Sequence, residues 1–128
     1  MPIGVTYDTG ALIAAERSDR RMWARHVALL AQDVVPTVPA PVLAQAWRGG
    51  SRQAALSRLL ATCEVEPLTE DQARKVGALI GTAGNADLTD ATVIEGAIRR
   101  GDAIVTSDDA DIRRIAAAAG AKLRIELI

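Results

Sequence analysis

The chain has 128 residues, 49% of them hydrophobic and 24% charged, which suits one globular domain able to bury a core without staples. Its net charge of −1 gives no global pull toward nucleic acid; a lone Cys63 excludes an internal disulfide or thiolate zinc cluster, and a lone His26 a histidine-rich metal site. Aromatic residues make up 2%, with no Phe at all, so a base-stacking platform of the kind built by single-strand-binding proteins is not expected.

The chain opens on Ile3-Gly4-Val5-Thr6-Tyr7, a strand pattern that runs into Asp8-Thr9-Gly10 and a short helix to about Glu16. A strand, an acid and a helix in that order predict a central parallel strand with a carboxylate at its C-terminal tip, where open α/β sheets place their sites. Ser18-Asp19 precede a second helix with Trp23, Val27 and Leu30 on one face and His26 at its edge, read as a packed or capping histidine. Val34 to Val38 forms the second strand, and Pro39-Ala40-Pro41 opens a helix through Val42 to Trp47, stopped at Gly49-Gly50. A helix from Ser51 to about Thr62 carries Leu56, Leu59, Leu60 and Cys63 inward, and Glu64 to Leu68 is a short strand.

Thr69 and Gln72 form a capping box for a helix that carries Ala73, Val76 and Ile80 inward and stops around Gly81 to Gly84. Asn85 to Thr89 reads as a loop, Asp90 to Arg100 as a helix, Ala103 to Thr106 as a strand, Asp109 to Ala119 as a helix and Lys122 to Leu127 as the last strand. Strands alternating with helices predict a three-layer α/β domain over 1–128 with a parallel sheet, and no linker or repeat divides it. The longest uncharged stretch, 34–47, is broken by Pro36, Pro39 and Pro41 and is no membrane span. The N-terminus lacks the basic start and long apolar run of a secretory leader, so a cytoplasmic location is expected.

Three acids open or follow three elements. Asp8 and Asp87 each fit a helix N-cap, and Asp108 fits a cap with Asp111 in the turn that follows. Asp90 fits no such role: with Ile94 and Ala97 it falls at i, i+4 and i+7, on the apolar side of its helix, with no basic residue close in sequence. An ionised carboxylate there costs several kcal/mol unless a partner is supplied. A divalent cation would serve, and would also draw Asp8 and Asp108 together; Mg²⁺ or Mn²⁺ suits an all-oxygen donor set. Such an ion beside arginines and hydroxyls is suited to phosphodiester hydrolysis, with no need of a histidine base or nucleophile triad. Arg dominates the basic residues, Lys75 and Lys122 being the only lysines; Arg suits bidentate phosphate contacts, and high-GC coding would produce the same bias equally well.

Val5-Thr6-Tyr7-Asp8-Thr9-Gly10-Ala11-Leu12, Asp90-Ala91-Thr92-Val93-Ile94 and Val105-Thr106-Ser107-Asp108 together resemble the PIN-domain ribonucleases, and more narrowly the VapC-type toxins of bacterial type II toxin–antitoxin pairs. The resemblance spans essentially the whole chain. It implies a five-stranded parallel sheet in order 3-2-1-4-5 and Mg²⁺- or Mn²⁺-dependent endonucleolytic cleavage of RNA. Asp8, Asp90 and Asp108 match the family's catalytic, metal-binding acids, Asp87 and Asp111 match further acids, and Thr9, Thr106 and Ser107 stand as supporting polar residues. Where the family usually has a glutamate this chain has Gln45, which keeps an amide oxygen but no charge. The resemblance also implies a homodimer and a VapB-type antitoxin whose C-terminal segment can place a basic side chain among the acids. Arg17, Arg20, Arg21, Arg48 and Arg52 are candidate RNA-phosphate contacts, each equally able to be a solvated surface charge.

Two other readings compete. A phosphatase or phosphotransfer domain would want a DxDxT-like pair after the first strand and a strand-end lysine, and neither is present. A PIN fold kept as an RNA- or protein-binding module, weakened by Gln45, is the non-enzymatic alternative.

Overall fold

A computed structural model describes residues 2–128. Its sheet contains β1 (Val5–Tyr7), β2 (Thr37–Pro39), β3 (Glu64–Glu66), β4 (Ala103–Thr106) and β5 (Ile125–Leu127), all parallel, in the order β3-β2-β1-β4-β5. The sheet order is the one expected. Neighbouring side chains in β1, β2 and β4 point to opposite faces, yet every one of them is buried, so both faces of the sheet are covered. The edge strands β3 and β5 are partly exposed and carry charge, as edges should.

Helices α1 (Thr9–Glu16), α2 (Arg20–Ala31), α3 (Ala40–Ala46) and α4 (Ala54–Leu60) group around α1, which packs on β1 and β4. Helix α6 (Leu88–Arg100) packs on β1, β2 and β4, and α5 (Glu70–Ala83) and α7 (Ala110–Ala118) pack on α6. The core runs between them through Tyr7, Leu12, Met22, Val38, Leu56, Ile94, Ile104 and Ile115, all without solvent exposure.

Several elements differ from expectation for identifiable reasons. In α2 the buried residues are Met22 and His26, whereas Val27 is 61% exposed. A polar residue turns inward because its needs are met: His26 Nδ1 bonds the Tyr7 hydroxyl at 2.8 Å and Nε2 bonds Thr62 Oγ1 at 2.7 Å. The Thr62 hydroxyl lies 2.9 Å from the Leu59 carbonyl, so a neutral ring donating from Nε2 satisfies every member, and burial lowers the His26 pKa accordingly. In α5 only Val76 is fully buried and Ala73 is exposed, because this helix lies on α6 rather than on the sheet. The Thr69–Gln72 capping box is present as expected. The 51–62 segment divides into a 3-10 turn (Ser51–Gln53) and α4, and Cys63 packs half-buried against the core, its thiol pushed up to about 12 by burial. The first, second, third and last strands are shorter than expected.

The C-terminal end of α6 is pinned by charge. Arg100 donates to Asp102 at 2.9 Å, to Thr6 at 2.9 Å and to Glu66 at 2.7 Å, while Thr6 donates to Asp102 at 2.8 Å. Gly4 permits this approach, since a Cβ there would lie 2.2 Å from Asp102 Oδ1. With that end fixed to β1 and β3, the other end of α6 is presented at the C-terminal edge of the central strands.

Candidate active site

The central strands β1 and β4 end side by side, and β2 lies on the other flank of β1, so the sheet changes direction of winding at this point. Open α/β sheets form their crevice at such a switch point. Asp8 occupies it. Its N–H donates to the Val105 carbonyl at 3.0 Å, extending the β1–β4 ladder by one residue. Its side chain then does two things: Oδ1 accepts from Thr9 N at 2.8 Å as the N-cap of α1, and Oδ2 accepts from Thr106 Oγ1 at 2.8 Å. The capping role and a role in the site are therefore compatible.

Gly10 brings α1 against the loop after β4. A Cβ at this position would fall 2.0 Å from Ser107 Oγ and 2.9 Å from Ser107 N. Beyond Ser107, Asp108 is exposed, its N–H meets Thr106 Oγ1 at 3.2 Å, and its Oδ1 accepts from Ala110 N at 3.3 Å near the start of α7.

Asp87 caps α6, accepting from Asp90 N at 3.1 Å, so the helix begins at Leu88 rather than at Asp90. Asp90 thus sits in the first turn of the helix, half-buried, above the fully buried Ile94 and Ala97. Among the described residues its carboxylate has neither a hydrogen-bond partner nor an ion pair. Burial pushes its pKa up to about 6, and the charges of Asp8, Asp87, Asp111 and Asp108 add to the rise. Asp8 is raised too, chiefly by burial, with Thr106 and Thr9 pulling it back and Asp87 and Asp108 pushing it further. These mutual effects bring the five acids named from the sequence into one electrostatic neighbourhood. Among the described residues, Asp111 alone of the five has a basic neighbour within ion-pairing reach, Arg114 at 3.5 Å, and both are largely solvated.

The acids do not form a ready-made cage: among the described residues no three His, Cys, Asp or Glu side chains stand close enough to enclose an ion. The donor chemistry nevertheless fits a hard divalent cation, being all oxygen, negatively charged and short of cationic partners. Gln45 is exposed on α3, and its Oε1 accepts from Thr9 Oγ1 at 2.5 Å, one residue from Asp8.

The five candidate arginines are all exposed and, among the described residues, none has an acidic partner. Arg17 follows α1, Arg20 and Arg21 open α2, Arg48 follows α3 and Arg52 lies in the 3-10 turn. Sequence reasoning missed Gln53, whose buried amide joins the end of α1 to the loop after α3; the Gly49-Gly50 pair, both at positive φ, was the only local hint of a tight turn needing such a clamp.

A family model described as PIN domain matches residues 5–118. No curated protein matches the sequence. Solved structures of similar fold include VapBC2 from Rickettsia felis bound to a promoter DNA fragment, with TM-score 0.74 and 18% identity over 98% of this chain and 99% of that one. DNA-bound VapBC from Salmonella typhimurium superposes with TM-score 0.68 and 18% identity, covering 98% of both chains. Mycobacterium tuberculosis VapC20, described as a toxin that cleaves the sarcin–ricin loop, gives TM-score 0.64 and 17% identity over 92% of this chain and 96% of that one.

Proposed function

The chain belongs to the PIN-domain family, and on that premise we propose that it is a Mg²⁺- or Mn²⁺-dependent endoribonuclease serving as the VapC-type toxin of a VapBC pair. The observation that carries the reading is Asp90: a half-buried carboxylate with no partner among the described residues, pushed up to about 6 in a neighbourhood of four further acids. The start of α6 suits one acid, but five acids gathered together call for a further counter-charge, which a cation supplies.

Asp8, Asp90 and Asp108 would hold the ion, with Asp87 and Asp111 adding negative charge around it. When bound, a hard divalent cation supplies Lewis acidity toward a phosphodiester and toward an attacking water at neutral pH. The chain's own contribution is positioning. Thr106 fixes the rotamer of Asp8 and favours its ionised form. Thr9 and Gln45 hold each other beside it, leaving the Gln45 amide group to donate toward a phosphate or a water. The exposed arginines Arg17, Arg20, Arg21, Arg48 and Arg52 offer forks for RNA phosphates.

The proposed partners are RNA as substrate, a VapB-type antitoxin as inhibitor and a second copy of the chain. The likeness in fold to VapBC complexes supports the antitoxin, and a set of acids of which, among the described residues, only Asp111 has an ion-pair partner is a natural receptor for an inserted basic side chain. Among the described residues no helix is long and apolar enough to cross a membrane, in keeping with action in the cytoplasm.

The test is cleavage of labelled structured RNA by the purified, antitoxin-free chain with Mg²⁺, Mn²⁺ or EDTA, beside Asp8→Asn and Asp90→Asn. Cleavage that needs both the metal and both aspartates is expected. Metal binding without cleavage of any RNA would favour a binding module, the reading that the uncharged Gln45 beside Thr9 suggests.

A further inference from the structure

Trp47 follows α3 two residues after Gln45, whose amide oxygen meets Thr9 next to Asp8. It is 40% exposed, and among the described residues nothing accepts from its indole N–H. Trp23 shows the contrast: it is half-buried and donates to the Ala15 carbonyl at 3.0 Å. Trp47 thus keeps part of its indole in water, in a chain with only two tryptophans and one tyrosine.

The loop that presents it is built rather than slack. Arg48 N and Gly49 N both donate to Gln53 Oε1, at 2.8 and 2.9 Å, and Gln53 Nε2 donates to the Ala46 carbonyl at 2.8 Å and to Glu16 at 2.9 Å. Gln53 is 3% exposed, so these bonds are sheltered from water. Gly49 and Gly50 take φ of +83° and +94°, which lets the chain turn tightly over the clamp. The same clamp gathers charge: Arg52 adjoins Gln53, Arg48 is bonded to it through the backbone, and Arg17 follows the Glu16 that it holds. Arg48 also braces Trp47, donating to its carbonyl at 2.6 Å.

A strand held only through its phosphates would gain little here, because the chain is slightly acidic overall and the neighbouring site gathers five carboxylates. Stacking does not depend on charge, so an exposed indole can keep a strand beside acids that repel its backbone. We propose that Trp47 is a single-base stacking residue of this protein, taking one unpaired nucleobase of an RNA substrate while Arg17, Arg48 and Arg52 hold flanking phosphates. Gln53 is the positioning residue that keeps the loop set. The inference rests on the nuclease reading for the identity of the ligand as RNA, and it extends that reading to substrates with unstacked bases rather than continuous duplex.

The test is binding in EDTA, where no hydrolysis is expected, of a fluorescein-labelled, mixed-sequence single-stranded RNA and of the same sequence as a duplex, followed by anisotropy over a range of salt. Trp47→Ala should weaken single-strand binding roughly five-fold or more with an unchanged salt slope. Trp47→Phe should stay within about two-fold of the parent, since a smaller ring still stacks, and Arg52→Ala should reduce the salt slope. Duplex binding should respond little to Trp47→Ala. Parent-like binding by Trp47→Ala overturns the proposal and points to a protein partner for the indole; equal weakness of Trp47→Phe and Trp47→Ala overturns it as well, as does the absence of single-strand binding by the parent. Cleavage on adding Mg²⁺ is read separately, so Trp47-dependent binding without hydrolysis would sink the nuclease reading and leave the stacking residue standing.

Discussion

The Thr106 hydroxyl donates to Asp8 Oδ2 across 2.8 Å, joining the last residue of β4 to the acid that follows β1. Thr106 and Asp8 are both buried, so this bond both orients the carboxylate and offsets part of the burial that raises its pKa. Thr106→Val should raise the Asp8 pKa further and move the acid limb of the metal-dependent cleavage profile to higher pH. Metal affinity should fall by roughly 10- to 100-fold, as when ligand-orienting partners are removed elsewhere. Thr106→Ser should behave as the parent; a pH–rate profile that is the same for Val and Ser would show that the hydroxyl does nothing for Asp8.

Asp90 ties stability to pH in a direction opposite to that of most aspartates. An unfolded chain releases this proton near the ordinary value of 3.8, whereas the folded chain keeps it up to about 6. Between those values the native state binds more protons, so metal-free stability should fall as pH rises from about 4 to 6 and stay low above. Asp90→Asn should reduce that slope, leaving the share that the raised pKa of Asp8 contributes, and melt higher than the parent at pH 8 in EDTA, and Mn²⁺ should rescue the parent but not the variant. Thermal melts across pH with and without metal give the answer. A parent whose stability climbs through pH 4–6, with no gain in the variant, would mean that Asp90 is paired.

Gln45→Glu replaces an amide oxygen that accepts from Thr9 by a carboxylate oxygen able to accept in the same place. The local geometry should persist while one negative charge is added beside Asp8. Titration calorimetry should then show tighter Mn²⁺ binding. An unchanged affinity would mean that position 45 stands too far out to sense the ion.

Gly10→Ala places a methyl group against both the side chain and the backbone of Ser107. Because one of the clashing atoms is main-chain nitrogen, trimming Ser107 to Ala should not restore the fit. Overpacking of this kind costs about 1–3 kcal/mol, readable as a lower urea midpoint, and cleavage should fall with it because Asp8 and Asp108 stand on the two sides of the contact. A silent substitution would show that β4 and α1 can part without harm.

The strands themselves were legible because each buried one announces itself in a short apolar run, and the central place of the first because Asp8 closes it; the full order 3-2-1-4-5 was implied by the resemblance to the PIN-domain ribonucleases. Asp90 was legible because Ile94 and Ala97 fix which side of α6 it shares. The inward face of α2 was not, since a histidine counts as polar until Tyr7 and Thr62 are known to meet it from 19 and 36 residues away. The burial of Gln53 failed to show for the same reason, its carboxylate partner Glu16 being 37 residues distant. Likewise the first-turn place of Asp90 depended on recognising Asp87 as the cap, one turn before the apolar periodicity begins. Local pattern reports what a segment prefers; only the fold supplies a polar group with its distant partner.

The two ends of α6 also bear on how five acids can be assembled at all. Asp87 and Asp90 lie at its N-terminal turn and Arg99 and Arg100 in its last turn, so side-chain charge opposes the helix macrodipole at both ends. The partial positive charge at the start of the helix offsets some of the repulsion there, by about 0.3–1 kcal/mol per favourably placed charge. Part of the counter-charge for the site is therefore covalently built in, and the chain can fold with its carboxylates gathered before any cation arrives.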